Sequence, residues 1–302
     1  MTTGRRIGKQ QLPRASYRLP AMPRRSAAVV IAVFALAAAC SSGPNVVPRP
    51  TGSTELVMAA FLAHSSDTAE ERLLGLPVAA VFGDGRVIHP GPPSTNTPAP
   101  ALPALTVTPL DVAGVEALLA AAKEAGLLGA DQEMRFPVER DPAITVFVIV
   151  AAGTRHQTVI EALQEIKAGD PRLTPDNLNQ RELIKGVLTL MQDPRQALAA
   201  HATDADSAYE PTALRIIVAP ASGGSSPATS ETREWPLAGG LATLGEALGG
   251  KSTSRCATVE GADLTTLDPL LRQSNELTLW SSGGVTYAVR FRPLLPGESG
   301  CS

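Results

Sequence analysis

The stretch LPVAAVFGDGRVI, residues 76–88, sets two apolar runs on either side of Asp84-Gly85, a pair that tolerates positive φ. It predicts a β-hairpin closed by a tight type I′ turn, with Asp84 serving the turn rather than chemistry. Upstream, the alternation of Leu56, Met58, Ala60 and Leu62 predicts a strand over 55–64, and 67–74 reads as a short helix capped by Asp67 or Thr68. Downstream, Pro90 to Pro109 is too rich in proline and threonine to be regular and could stay extended as a binding surface.

Thr108-Pro109 then predicts a helix start, with Thr108 as cap, Pro109 in the first position, and Val112, Val115, Leu118, Leu119 and Ala122 as the buried stripe up to Gly126. The sequence AITVFVIV after Asp141-Pro142 reads as a central strand, paired through Gly153 with residues 155–160. A second helix from Thr174-Pro175 buries Leu178, Leu183, Ile184, Val187 and Met191 and stops before Asp193-Pro194. Beyond it come a strand over 212–219, a linker from Pro220 to Arg233, and Trp235, expected as a hydrophobic plug. A strand at 256–259, a helix capped by Asp263 and a hairpin over 277–292 turning at Gly283-Gly284 complete the chain. Short antiparallel hairpins separated by helices define an α+β fold. The order hairpin, helix, hairpin recurs in each half, the pattern of a duplication, although the two sequences barely match.

The leader decides the compartment. Arg24 and Arg25 precede a wholly apolar run from Ala27 to Ala39, followed by Cys40, Ser41, Ser42 and Gly43. That is the pattern of an export signal, and the run falls short of the roughly 20 residues a membrane-spanning helix needs. It resembles a bacterial lipoprotein signal, with Ala37 rather than a large aliphatic residue three places before the cysteine; the resemblance implies a diacylglycerol on Cys40 and cleavage before it. The alternative is ordinary cleavage and release. The domain reading is 1–39 signal peptide (with Met22 as an alternative start), 40–53 tether, 54–205 first α+β half and 206–302 second half.

If Cys40 carries lipid, Cys256 and Cys301 remain of the three cysteines. In an oxidising setting they pair, closing a loop of about 45 residues, contributing on the order of 3–4 kcal/mol and drawing the tail back over the last helix so that Leu294 and Leu295 are shielded from water. Without the basic leader the chain is more acidic than its formal net charge of -3, and aromatic residues make up only 4%. Both argue against nucleic acid as a partner.

GDGRVI, the EAGLL helix end, WPL and the terminal RPLLPGESGC together resemble a family of uncharacterised exported lipoproteins from high-GC Gram-positive (actinobacterial) bacteria. The resemblance implies an envelope location and brings no assigned activity.

Enzyme motifs are missing from the sequence. His64, His89, His156 and His201 stand in no zinc-binding spacing, and there is no Gly-x-Ser-x-Gly elbow, no Ser-x-x-Lys and no phosphate-binding Gly-rich loop placed between strand and helix. His156 with Asp141 and a serine is one conceivable dispersed triad, and Asp204 with Asp206 a weak calcium pair. The expectation is therefore a lipid-anchored binding or scaffold module with no cofactor, metal or catalytic residue assigned, its partner an envelope protein or a small molecule. An exported hydrolase with a dispersed Ser/His/Asp-type site is the alternative, and a histidine within reach of both a hydroxyl and a carboxylate would favour it.

Overall fold

The computed structural model describes residues 46–136, 141–167, 169–221, 231–250 and 252–301. The leader, Cys40 and most of the 220–233 linker lie outside the described residues. The architecture is α+β, in two sheets.

The first sheet has eight strands. β1 (Leu56–His64) lies between β2 (Pro77–Phe82) and β6 (Ala143–Ala151), antiparallel to both. β3 (Arg86–Pro90), β4 (Leu105–Pro109) and β8 (Ser207–Ala208) extend it on one side, and β7 (Thr154–Glu161) and β5 (Gln132–Met134) on the other. Both edge strands are very short, which leaves little unpaired backbone to recruit another chain.

The 76–88 hairpin forms with a different turn. Gly85 N donates to Phe82 O at 3.0 Å, so Gly83 and Asp84 occupy the turn's centre, and only Gly85, φ +91°, is left-handed. This is a three-residue loop with a glycine bulge rather than type I′. The type I′ pattern occurs instead at Ala152-Gly153 and Gly283-Gly284, where both central residues have positive φ.

Two helices cover one face of this sheet. α2 (Val112–Glu124) and α3 (Pro175–Gln192) bury Val115, Leu118, Leu119, Ala122, Ile184, Val187, Leu188 and Met191 against Met58, Val81, Phe147 and Ile149. Each such side chain contributes on the order of 1.5–3 kcal/mol by leaving water. Val112, expected in the stripe, is the first helical residue and 61% exposed.

Thr108-Pro109 is not the helix start. Both residues belong to β4, and Asp111 is the cap, accepting from Gly114 N at 2.7 Å. The other end closes as expected at Gly126, with Leu127 N bonded to Ala122 O and Gly126 N to Lys123 O, a Schellman motif.

Nor is the proline-rich segment free. Its last five residues are β4, while Ala101 and Leu102 pack into the second half's core and the backbone at 99–101 bonds to Ser274 and Glu276. The segment read as a tether is packed from Val47 onward. Val47 lies against the helix-side core, Pro48 O accepts from Ala152 N at 2.7 Å, and Arg49 donates to Gly83 O at 2.8 Å.

The second sheet centres on β9 (Ala213–Pro220) and runs β10 (Thr232–Glu234), β13 (Leu279–Ser282), β14 (Val285–Pro293), β9, β12 (Arg255–Glu260), β11 (Glu246–Ala247). Leu214, Ile216, Val218, Val259 and Phe291 point to one face, where α5 (Gly261–Leu271) supplies Leu267 and Leu271. α5 begins straight out of β12 with Glu260 at the cap position, and Asp263 sits in its first turn instead of capping it. Trp235 does plug this core, edge-on to Trp280 at 5.5 Å. The hairpin β6–β7 joins β1 through its first strand, whereas β13–β14 joins β9 through its second. The two halves therefore differ in connectivity.

Ser207–Ala208 pairs with β4, so the second sheet itself starts at Ala213. Between the sheets lie α1 (Ala69–Leu74) and the tail after Pro293. Leu295 packs against Phe82, Ile88 and Leu105 of the first sheet, and the Cys256 and Cys301 sulfurs lie at bonding distance, 2.11 Å. A tail crossing the last helix was expected. Side chains alternate along a strand, so with Ala257 and Val259 facing α5, Cys256 must face the other way, and it draws the tail to the opposite side of the sheet. Leu294 and Leu295 are buried all the same.

Candidate functional site

The seam between the sheets is the main buried polar cluster. Arg215 and Arg292 are cross-strand neighbours on β9 and β14, both nearly inaccessible to water. Like charges in that position repel, and partners on every side offset the repulsion. Glu298 accepts from both Arg292 Nη atoms at 2.6 and 2.8 Å and from Leu295 N at 2.8 Å. Arg292 Nε donates to Gly75 O at 3.0 Å.

Arg215 donates to Leu73 O at 2.6 Å, to Ser299 O at 2.9 Å and to Gly300 O. Leu73 and Gly75 stand at the end of α1, so the guanidiniums satisfy carbonyls that a helix terminus leaves open. Burial lowers Arg215 to about 10; the Arg292 charge acts in the same direction and Glu298 opposes it. Gly297, φ +77°, lets the tail pass Thr54, whose carbonyl would lie 2.5 Å from a Cβ there. The two guanidiniums together hold these four carbonyls and the Glu298 carboxylate, which fixes the tail against α1, and each of their nitrogens is engaged within the chain.

Arg215 was not singled out in the sequence, although a charge inside the run TALRIIVA is itself a signal, because a buried charge needs partners.

One histidine does meet a hydroxyl near a carboxylate. His89 Nε2 lies 3.1 Å from Thr108 Oγ1, which donates to Asp206 Oδ1 at 2.8 Å. The order is wrong for a nucleophile. In a triad the imidazole sits between carboxylate and hydroxyl and takes the hydroxyl's proton. Here the hydroxyl is central, its proton directed at Asp206, and Thr108 is completely buried.

Arg195, on the short helix α4 (Pro194–Ala197), completes the cluster, donating to Asp206 Oδ1 at 2.7 and 3.0 Å and to the Asp204 carbonyl. A guanidinium thus occupies the position that a cation would take between these two aspartates. Burial pushes the Asp206 carboxyl up, but hydrogen bonds from Arg195 and Thr108 outweigh it and the net direction is down.

Two other histidines hold local structure. His201 Nδ1 lies 3.2 Å from Asp111 at the α2 cap, and His156 Nδ1 lies 2.7 Å from Gly129 O. His156 pairs with Ile149 near one end of β6 and Asp141 precedes its other end, so the suggested triad is not assembled. Asp141 instead accepts from the Ser65 and Ser66 hydroxyls, which together with backbone N–H bonds hold its carboxyl below the usual range. Among the described residues no group of three metal-ligating side chains comes together, and no helix is long and apolar enough to cross a membrane.

One open concave feature among the described residues is a shallow cleft of about 460 Å³ lined by Val46, Val47, Pro48, Lys123, Leu128 and the glycines at 126 and 129. It lies where the chain arriving from Cys40 meets the end of α2. No family model, curated protein or solved structure matches this chain.

Proposed function

We propose that this is an exported protein held on the outer face of the cell membrane by a lipid on Cys40, acting there by binding or scaffolding. The observation that carries the reading is the leader itself, two arginines and the apolar run from Ala27 to Ala39 ending in Cys40. The Cys256–Cys301 pair supports it, since a structural disulfide suits an oxidising compartment. The polar clusters support the binding role over hydrolysis: the seam arginines are engaged by carbonyls and by Glu298, and the buried Thr108 hydroxyl is committed to Asp206. An envelope protein or a small molecule is the partner on this reading, and the actinobacterial lipoprotein resemblance agrees with it.

The test is Cys40→Ala. The substitution should move the protein from the membrane fraction to the medium or stall processing, and wild type should carry a diacylglyceryl mass on its first residue. Unchanged membrane association and mass in Cys40→Ala would contradict the reading.

A further inference from the structure

We infer that one pole of the first sheet, carrying the cleft at Val46–Pro48, lies against the lipid headgroup surface of the membrane, while the opposite pole faces outward. The inference rests on the lipid anchor at Cys40. Strand register defines the poles. Leu56 pairs with Phe82, and Met58 with Ile149, at one end of the sheet; His64 pairs with Ala143 at the other. The turns at Gly83–Gly85 and Ala152–Gly153 therefore share the first pole. The incoming chain is fixed to both turns, through Arg49 to Gly83 O and Pro48 O to Ala152 N.

Six residue steps separate Cys40 from Val46, so even a fully extended chain reaches only about 20 Å. That is less than the span of the sheet along β6, whose eight steps from Ala143 to Ala151 cover roughly 26 Å. A chain so short, leaving from this pole, cannot let the molecule turn its far pole to the bilayer without the near pole also standing within reach of it.

Charge does not set the orientation. Exposed Lys123, Glu124 and Arg155 stand on this pole, where Asp84 is paired with Arg86. The signs are mixed, so the apposition should depend weakly on salt.

The experiment uses the lipidated mature protein in phosphatidylcholine/phosphatidylglycerol vesicles containing a dansyl-headgroup lipid, with tryptophan as energy donor. Buried Trp235 and Trp280 give the same background in each variant. Thr154→Trp, at the cleft pole, should transfer energy to the headgroups severalfold more efficiently than His64→Trp, at the far pole, in both low and high salt. Equal transfer, or more from His64→Trp, overturns the inference. Flotation with the vesicles is scored separately; failure to float, with no lipid mass on Cys40, indicts the anchor instead. Acetylation of Lys123 in otherwise native protein gives an independent reading without a new tryptophan. It should be severalfold slower on vesicles than in soluble Cys40→Ala protein, with Lys185 unchanged, and equal Lys123 rates would also overturn the inference.

Discussion

The two sheets are buried by different means. The first is covered by α2 and α3 through contacts that are almost wholly apolar, from Val115 on one helix to Met191 on the other. The second has a smaller apolar core against α5, completed by Ala101 and Leu102 from the first half. Its inner face is closed by polar and covalent links: Arg215 and Arg292 to α1 and the tail, Glu298 to Arg292, and Cys256 to Cys301. An apolar face tolerates local change because its free energy is spread over many contacts. A seam of charges is unforgiving, because removing one partner strands another out of water.

The largest expected effect follows from opening the disulfide. Cys256→Ser with Cys301→Ser should lower the unfolding free energy by about 3–4 kcal/mol on chain entropy alone. Denaturant titration followed by tryptophan fluorescence reads this directly, since Trp235 and Trp280 both lie in the second half. No change in midpoint would remove the covalent contribution from the comparison.

Glu298→Gln comes next. It leaves Arg215 and Arg292 as adjacent buried charges without the carboxylate between them and the tail, at a cost of about 2–3 kcal/mol, reduced from a fully buried pair because Glu298 is partly exposed. The same titration should show the loss in the second half, with α2 and α3 unaffected by far-UV circular dichroism until higher denaturant.

The smallest effect concerns pH. Hydrogen bonds from Ser252 and Ser254 hold the Glu70 carboxyl below its ordinary value. A depressed acid stabilises the fold above the unfolded carboxylate value, about 4.3, and that contribution disappears as pH falls through the lower folded value. Glu70 is half-buried and still screened by solvent, so the amount is under about 1 kcal/mol. Glu70→Gln should flatten the stability profile slightly below pH 5; profiles of identical slope would show that this contact does not help dock α1.

Much of the fold was legible in the sequence because period is a local property. The 76–88 hairpin, AITVFVIV and the helix ending at Gly126 each declare themselves within a dozen residues. β4 was not, because Thr108-Pro109-Leu110-Asp111 reads equally as a strand end or a helix start, and only pairing with β3 decides between them. The direction of the tail was available but unused: Ala257 and Val259 could be read as inward, which sends Cys256 outward. The seam joins positions as far apart as Leu73 and Arg215, or Gly75 and Arg292, and no local pattern records such contacts. The same holds for the cleft, formed by Val47 meeting Leu128.

Hydrogen exchange of the mature protein with and without a phosphine reductant tests most directly whether the second sheet depends on its covalent and polar seam. Reduction should cut protection across residues 213–221 and 255–301, with a small loss in β2 and β3 where Leu295 packs, and leave α2, α3 and β6 as protected as before. Equal protection of 255–301 in both conditions, or an equal loss across both sheets, would contradict that dependence.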